Sequence, residues 1–220
     1  MGDTLEKLFS EQDRERIKKA VDEAEGKTSG EIVPYVVRES DPYAEALWRG
    51  GTSLGVIVLA TLAFLHEALG LLPFLGVAWV LMLGFCGFMA GMGLVRYVPA
   101  FKRLFAGEDL MERRVSMRAA VAFIDEEIFN TRDRTGILIF VSMTEHKVLV
   151  MGDSGINARV GENAWEEVAQ TIVRGIRGGK AAEGLIEAVE QCGHLLEHRG
   201  VAIRPDDRNE LSDHVRLRGS

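Results

Sequence analysis

The chain has 220 residues, and 26 lysines and arginines against 33 aspartates and glutamates leave a formal net charge of −7. Neutralising nucleic-acid phosphates takes a basic face, and neither this balance nor any stripe of the sequence supplies one, so a nucleic-acid partner is not expected. Two cysteines and 24 glycines without a strict period exclude a disulfide scaffold and a collagen-like repeat, and a hydrophobic fraction of 47% excludes a disordered chain.

The first residues carry neither a basic region nor an apolar run, so no cleavable signal peptide is expected. Ser10 followed by Glu11, Gln12 and Asp13 is an N-cap with an acidic first turn. With Ile17, Val21 and Ala24 at helical spacing, it predicts a helix over 11–26. Gly30 to Val37 is short, β-branched and aromatic, hence a strand, with Pro34 placing it at an edge or a bulge.

The charges then vanish. Between Gly50 and Val95 the only formally charged residue is Glu67. At ~1.5 Å per helical residue and a hydrocarbon core of ~30 Å, this length suits two spans. The turn between them is expected over His66 to Pro73, where the carboxylate, the glycine and the proline coincide. Arg38 and Arg49 before the segment, and Arg96, Lys102, Arg103, Arg113 and Arg114 after it, place both termini in the cytoplasm and the chain in the inner (cell) membrane. Trp48, Tyr97 and Phe101 fall where an interfacial aromatic belt would lie. Gly51/Gly55 and Gly87/Gly91 form one small-xxx-small pair in each span, suited to packing within the hairpin or between copies of the chain. The competing assignment is a buried core hairpin of a soluble protein.

Beyond the spans, Leu110, Met117, Val121, Ile124 and Ile128 predict a helix over 108–129. Gly136–Ser142 and Lys147–Met151 predict a β-hairpin covered on both faces or on one strongly apolar face. Trp165, Val168, Ala169, Ile172 and Ile176 line one helix, and Leu185, Val189, Cys192 and Leu196 another, stopped by Gly178-Gly179 and by Gly200. The tail from Arg204 is expected to be mostly irregular. Cys86 in the apolar segment and Cys192 in the last helix are not expected to pair, which fits a reducing compartment.

Several strings imitate enzyme signatures and fail on spacing. His66-Glu67 lacks the second zincin histidine, because residue 70 is glycine. Cys192 and Arg199 are one residue too far apart for a cysteine-phosphatase loop. Gly152-Asp153-Ser154-Gly155 has no histidine and aspartate in a triad context. What remains is acidic. Asp153 stands where the chain leaves a buried strand, Asp133 lies in the loop before the paired strand, and Glu31 begins the first strand. Strand-end loops of this kind supply oxygen ligands to Ca²⁺ or Mg²⁺. The plainer roles are an Asx turn or helix N-cap for Asp153 and a solvated turn for Asp133. Asp125-Glu126-Glu127 reads as a solvated helix face.

Ala122-Phe123, Thr131 to Val141, Asp153-Ser154-Gly155-Ile156, Trp165 and Asp207-Arg208-Asn209-Glu210-Leu211 occur in the order seen in TPM-domain proteins, and Thr28 to Ile32 is similar to that family's first strand. The chain resembles this family over most of 5–40 and 107–213. The resemblance implies a compact αβα sandwich, here an α/β domain interrupted by a two-helix transmembrane hairpin. Its parts are expected at 1–46 and 99–203, with the hairpin at 47–98 and a polar tail at 204–220. It also implies Asp153 as the first metal ligand to test, with Asp133 and Glu31 in support. The function expected is that of a membrane-tethered adaptor helping to assemble, repair or regulate a membrane protein complex, because the sequence shows no positioned general base or nucleophile. The competing implication is a metal-dependent phosphatase, since members of the family include a plant thylakoid-lumen protein with acid phosphatase activity. Arg132 and Arg134 are then its only visible cationic clamp. The expected partners are the lipid bilayer and another membrane protein, with self-association through Gly51, Gly55, Gly87 and Gly91.

Overall fold

The computed structural model describes residues 3–70, 76–201, 203 and 209–218. The chain divides into two compact units, one of residues 1–41 and 112–220, the other of 42–111. The hairpin expected at 47–98 lies within the second unit.

In chain order the first unit begins with α1 (Asp3–Leu8), α2 (Glu11–Glu25) and β1 (Glu31–Val37). Ser10 and Asp13 close a reciprocal capping box at the start of α2, each side chain accepting the other's backbone N–H at 3.1 Å. Ile17, Ala20, Val21 and Ala24 form the buried face of this helix. The second unit holds α3 (Ala44–Leu69), α4 (Val77–Tyr97) and α5 (Pro99–Ala106). The chain then continues through α6 (Glu108–Asp125), β2 (Gly136–Ser142), β3 (Lys147–Gly152), α7 (Ser154–Asn157), α8 (Glu162–Arg177), α9 (Ala181–His198) and β4 (Arg216–Arg218).

The sheet order is β3-β2-β1-β4. β1 runs parallel to β2 along its whole length, from Glu31 opposite Gly136 to Val37 opposite Ser142. β2 and β3 form the antiparallel hairpin expected from sequence. One face of the sheet carries Ile32, Val36, Ile137, Ile139 and Val141 against α2, α8 and α9. The opposite face carries Val33, Tyr35, Leu138 and Phe140 against Val115, Ala119 and Ala122 of α6. Both faces of β1 and β2 are therefore covered, which is why these strands read as continuous apolar runs.

Three expectations need correction. Pro34 is not on an edge strand, because β4 pairs with β1 in parallel. The exception is local. The N–H of Glu31 bonds to Thr135 and that of Arg38 to Arg218, so Ile32, Pro34 and Val36 face the β4 side. β4 reaches only Tyr35 to Val37, and Pro34 occupies the position before it, where no N–H is needed. Second, α6 ends at Asp125, short of the expected 129; the tail is mostly irregular over its described residues, as expected, with 216–218 forming β4, and Arg204 to Arg208 lie outside the described residues. Third, α6 turns the other way. Met117 and Ile124 are both 62% exposed and Val121 is exposed, while Val115, Ala119 and Ala122 meet the sheet. Ile128 is buried as expected, past the end of the helix.

In the second unit, α3 and α4 are long and apolar enough to cross a membrane, and only 11% and 17% of their apolar windows are buried inside the protein. A soluble core hairpin requires the reverse. The expected turn begins later than His66, because α3 runs to Leu69 and is capped by Gly70 in the left-handed region at φ 63°. Leu71 to Leu75 lie outside the described residues. The buried positions of α4 are Gly84, Gly87, Gly91 and Val95, a small-residue seam facing Gly50, Gly51 and Gly55 of α3. At Gly91 the backbones approach so closely that a Cβ would run into the Gly50 carbonyl. All four glycines of the two motifs are thus spent inside the hairpin. Trp48 and Tyr97 are exposed, as an interfacial belt requires.

Candidate functional site

β1 and β2 start, and β3 ends, at one end of the sheet, so Glu31, the loop of 131–135 and Asp153 all lie at that end. The loop is tied on both sides. Thr135 accepts the Glu31 N–H through its carbonyl and donates its hydroxyl to the Ser29 carbonyl at 2.6 Å. Gly136 accepts the Asp153 N–H, and Arg134 accepts that of Gly155. At Gly155 the chains come so near that a Cβ would meet the carbonyls of Asp133 and Arg134.

Asp153 is buried, and its carboxylate is occupied. Oδ1 accepts the Ser154 N–H at 2.6 Å, making Asp153 the N-cap of α7, and Arg134 Nε lies 2.8 Å from Oδ2. The contact with Oδ2 is an ion pair off the hydrogen-bond axis, since that oxygen accepts no aligned bond. Arg134 is itself fixed, donating to the Phe129 carbonyl at 3.2 Å with its guanidinium 5.7 Å from the Phe129 ring centre. Asp133 contributes its backbone carbonyl to the close packing at Gly155, and its side chain is exposed.

Glu31 points elsewhere. Its two carboxylate oxygens accept the backbone N–H groups of Glu210 and Leu211, each at 3.2 Å, and so hold the C-terminal segment. It also lines a groove of about 240 Å³ with Asp22, Glu25, Thr28 and Asn209. Glu25, at the end of α2, is the residue that sequence reasoning missed. Its Oε1 accepts the Ile32 N–H at 2.7 Å, on the β4 side of β1 at the end of the strand that β4 does not reach, and its Oε2 is buried without a hydrogen-bond partner among the described residues.

The electrostatics of the groove are those of crowded carboxylates. Burial pushes the Glu25 carboxyl up to about 9; the Ile32 N–H opposes this, and the charges of Glu31, Asp213 and Asp22 add to it. Burial also raises Glu31, against the two backbone donors. Asp22 is raised first by its hydrogen bond with Asp213, then by burial and by the Asp213 charge, with Lys18 and His214 opposing. The Glu25 carboxyl therefore keeps its proton at neutral pH.

The tail is held by further charges. Glu210 accepts the Arg132 N–H at 2.9 Å, and Asn209 donates to Asp213. Glu126 takes both Arg216 at 3.0 Å and Arg218 at 3.1 Å, so it is a clamp rather than part of a solvated helix face. Among the described residues no three His, Cys, Asp or Glu side chains come together as a metal-binding group. Asp153, Asp133 and Glu31 share an end of the sheet, but their carboxylates serve a helix cap with an arginine, the exposed surface and the tail respectively. A resident metal does not fit this arrangement of Asp153, whose oxygens already face a cation and an N–H.

Residues 99–195 match the TPM domain family. Among solved structures the chain is similar to the NMR structure of BA42 protein from the psychrophilic bacterium Bizionia argentinensis, with 18% identity and a TM-score of 0.58. The similarity covers 96% of this chain and 95% of that one, and at this identity the likeness is one of fold. No curated protein matches the chain.

Proposed function

We propose, from the match of residues 99–195 to the TPM domain family, that this chain is a membrane-tethered adaptor, an accessory to the assembly, repair or regulation of a membrane protein complex. The observation that carries this reading is the Asp153–Arg134 pair. A phosphomonoesterase needs a free acid or metal and a free cationic clamp in register with a nucleophile. Here the sequence's best acid and one of its two candidate clamp arginines neutralise each other at 2.8 Å, and the acid also caps α7. The two apolar helices supply the tether, and Arg49, Arg96, Lys102 and Arg103 beside them favour both termini in the cytoplasm. A divalent cation belongs in this reading at the Glu25–Glu31 groove, where it would replace protons and stiffen the seat of the tail.

The test is calorimetric titration of the full chain in lipid nanodiscs with Ca²⁺ and with Mg²⁺, run beside a phosphomonoester turnover assay. The expected result is no metal-dependent turnover, with cation heat lost in Glu31→Gln and kept in Asp153→Asn. Metal-dependent turnover abolished by Asp153→Ala would overturn the adaptor reading in favour of the phosphatase.

A further inference from the structure

The two edges of the sheet are built differently. β4 is three residues long, and two of them, Arg216 and Arg218, are fixed on Glu126. An edge that short and that charged does not invite another strand. β3 spans Lys147–Gly152, carries one charge at its first residue, and has no strand on its outer side among the described residues. Because the Asp153 N–H bonds to Gly136, alternate residues Met151 and Leu149 also face β2, and Val148 and Val150 turn their N–H and C=O groups outward. Gly152 faces outward too, but its carbonyl is taken by Asn157 Nδ2 at 2.6 Å. The open stretch is therefore Val148 to Val150.

Beside that stretch, α8 and β3 enclose a groove of about 320 Å³ lined by Val148, Leu149, Val150, Trp165, Glu166 and Ala169. Trp165 is only 7% exposed, and its indole Nε1 has no acceptor among the described residues. A buried indole N–H is ordinarily bonded, so an acceptor brought in from outside answers a deficit that the fold leaves. Glu166 is exposed and gives the apolar groove a negative rim.

We propose that this edge takes an extended segment of a partner protein, apolar at alternate positions and bearing a lysine or arginine, as an added strand on β3. Val148 and Val150 supply the main-chain bonds, the groove takes alternate side chains, and Glu166 takes the basic residue. A small turn of the Trp165 ring brings Nε1 to a carbonyl of the added strand. A second copy pairing β3 with β3 about a two-fold axis would bring two Glu166 side chains together, whereas a basic segment neutralises one. The proposal does not rest on the adaptor reading, because a phosphatase with the same edge would bind the same segment, and its test reads binding alone.

The probe is a blocked octapeptide of alternating threonine and valine with one central lysine, compared with the same peptide carrying glutamate. The protein is the full chain in nanodiscs with Trp48→Phe and Trp79→Phe, which leaves Trp165 as the reporter. The lysine peptide is expected to shift Trp165 emission and to slow amide exchange at Val148 and Val150, with the glutamate peptide about tenfold weaker. Val150→Pro removes an outward N–H and no bond to β2, so it is expected to abolish the emission shift and the exchange protection at Val148; because Val150 is buried in the core, the variant's melting temperature is expected to fall, and the comparison is made at a temperature where it remains folded. Glu166→Lys, at an exposed position that leaves the fold intact, is expected to reverse the charge preference. The proposal is overturned by a lysine peptide that leaves emission and exchange unchanged, by equal binding to wild type and Glu166→Lys, or by a dimer that Val150→Pro dissociates.

Discussion

Glu25 is the residue whose chemistry departs furthest from its sequence context. Folded, its carboxyl holds a proton up to about pH 9 against an ordinary value of 4.5. The stability that the protonated side chain contributes is thus complete below about pH 4.5 and is lost as pH climbs through 9. The melting temperature of the wild type is expected to fall between pH 5 and pH 9, and that of Glu25→Gln, which keeps an acceptor for Ile32, to stay flatter. Parallel slopes in the two proteins would remove Glu25 as the cause. Asp153→Ala removes the cap of α7 and the Arg134 ion pair and is expected to cost about 1–2 kcal/mol in denaturant unfolding, with Asp153→Asn recovering most of it. Glu31 and Asp153 were legible as acids at strand ends because strands and their ends are local features. Glu25 was not, since its role depends on how the turn of 26–30 lays the end of α2 against the end of β1 that β4 does not reach.

At the scale of elements, α6 shows where periodicity misleads. It carries two helical stripes, Met117, Val121 and Ile124 on one side and Val115, Ala119 and Ala122 on the other. The larger side chains make the stronger apolar signal, yet the alanines let the helix axis come close to the sheet, and packing takes the small face. Met117→Lys and Ile124→Lys are therefore expected to change unfolding free energy by less than about 0.5 kcal/mol, as at ordinary surface sites. Val115→Ala is expected to cost roughly 1–3 kcal/mol through the cavity it leaves. If the lysine variants prove the more damaging, the face assignment is reversed. The spans obey the same logic with glycine in place of alanine. Gly91→Val drives a branched side chain into the Gly50 backbone, and it is expected to lower the detergent melting temperature of the hairpin well below that of Gly93→Val, at a glycine with open space beside it.

At the scale of the molecule, the two long apolar helices were the most legible part of the sequence, because uncharged runs of that length have few alternatives. The αβα sandwich was legible through its buried strands and amphipathic helices. What stayed hidden was the use of the tail: β4 is three residues long and is specified by Glu126 and by β1 rather than by its own composition. The two pieces of the sandwich meet without the spans. Asp41, where the first piece ends, lies 3.5 Å from Arg114, just after the second begins, and β1 is in full register with β2. The central claim is that the hairpin is an insertion tethering a self-contained α/β unit. The direct measurement is the NMR spectrum of a chain in which residues 42–111 are replaced by a short glycine-serine linker, in water without detergent. The account predicts a cooperatively folded, soluble protein with cross-strand contacts between Ile32 and Ile137 and between Val36 and Val141; an unfolded or detergent-requiring chain would contradict it.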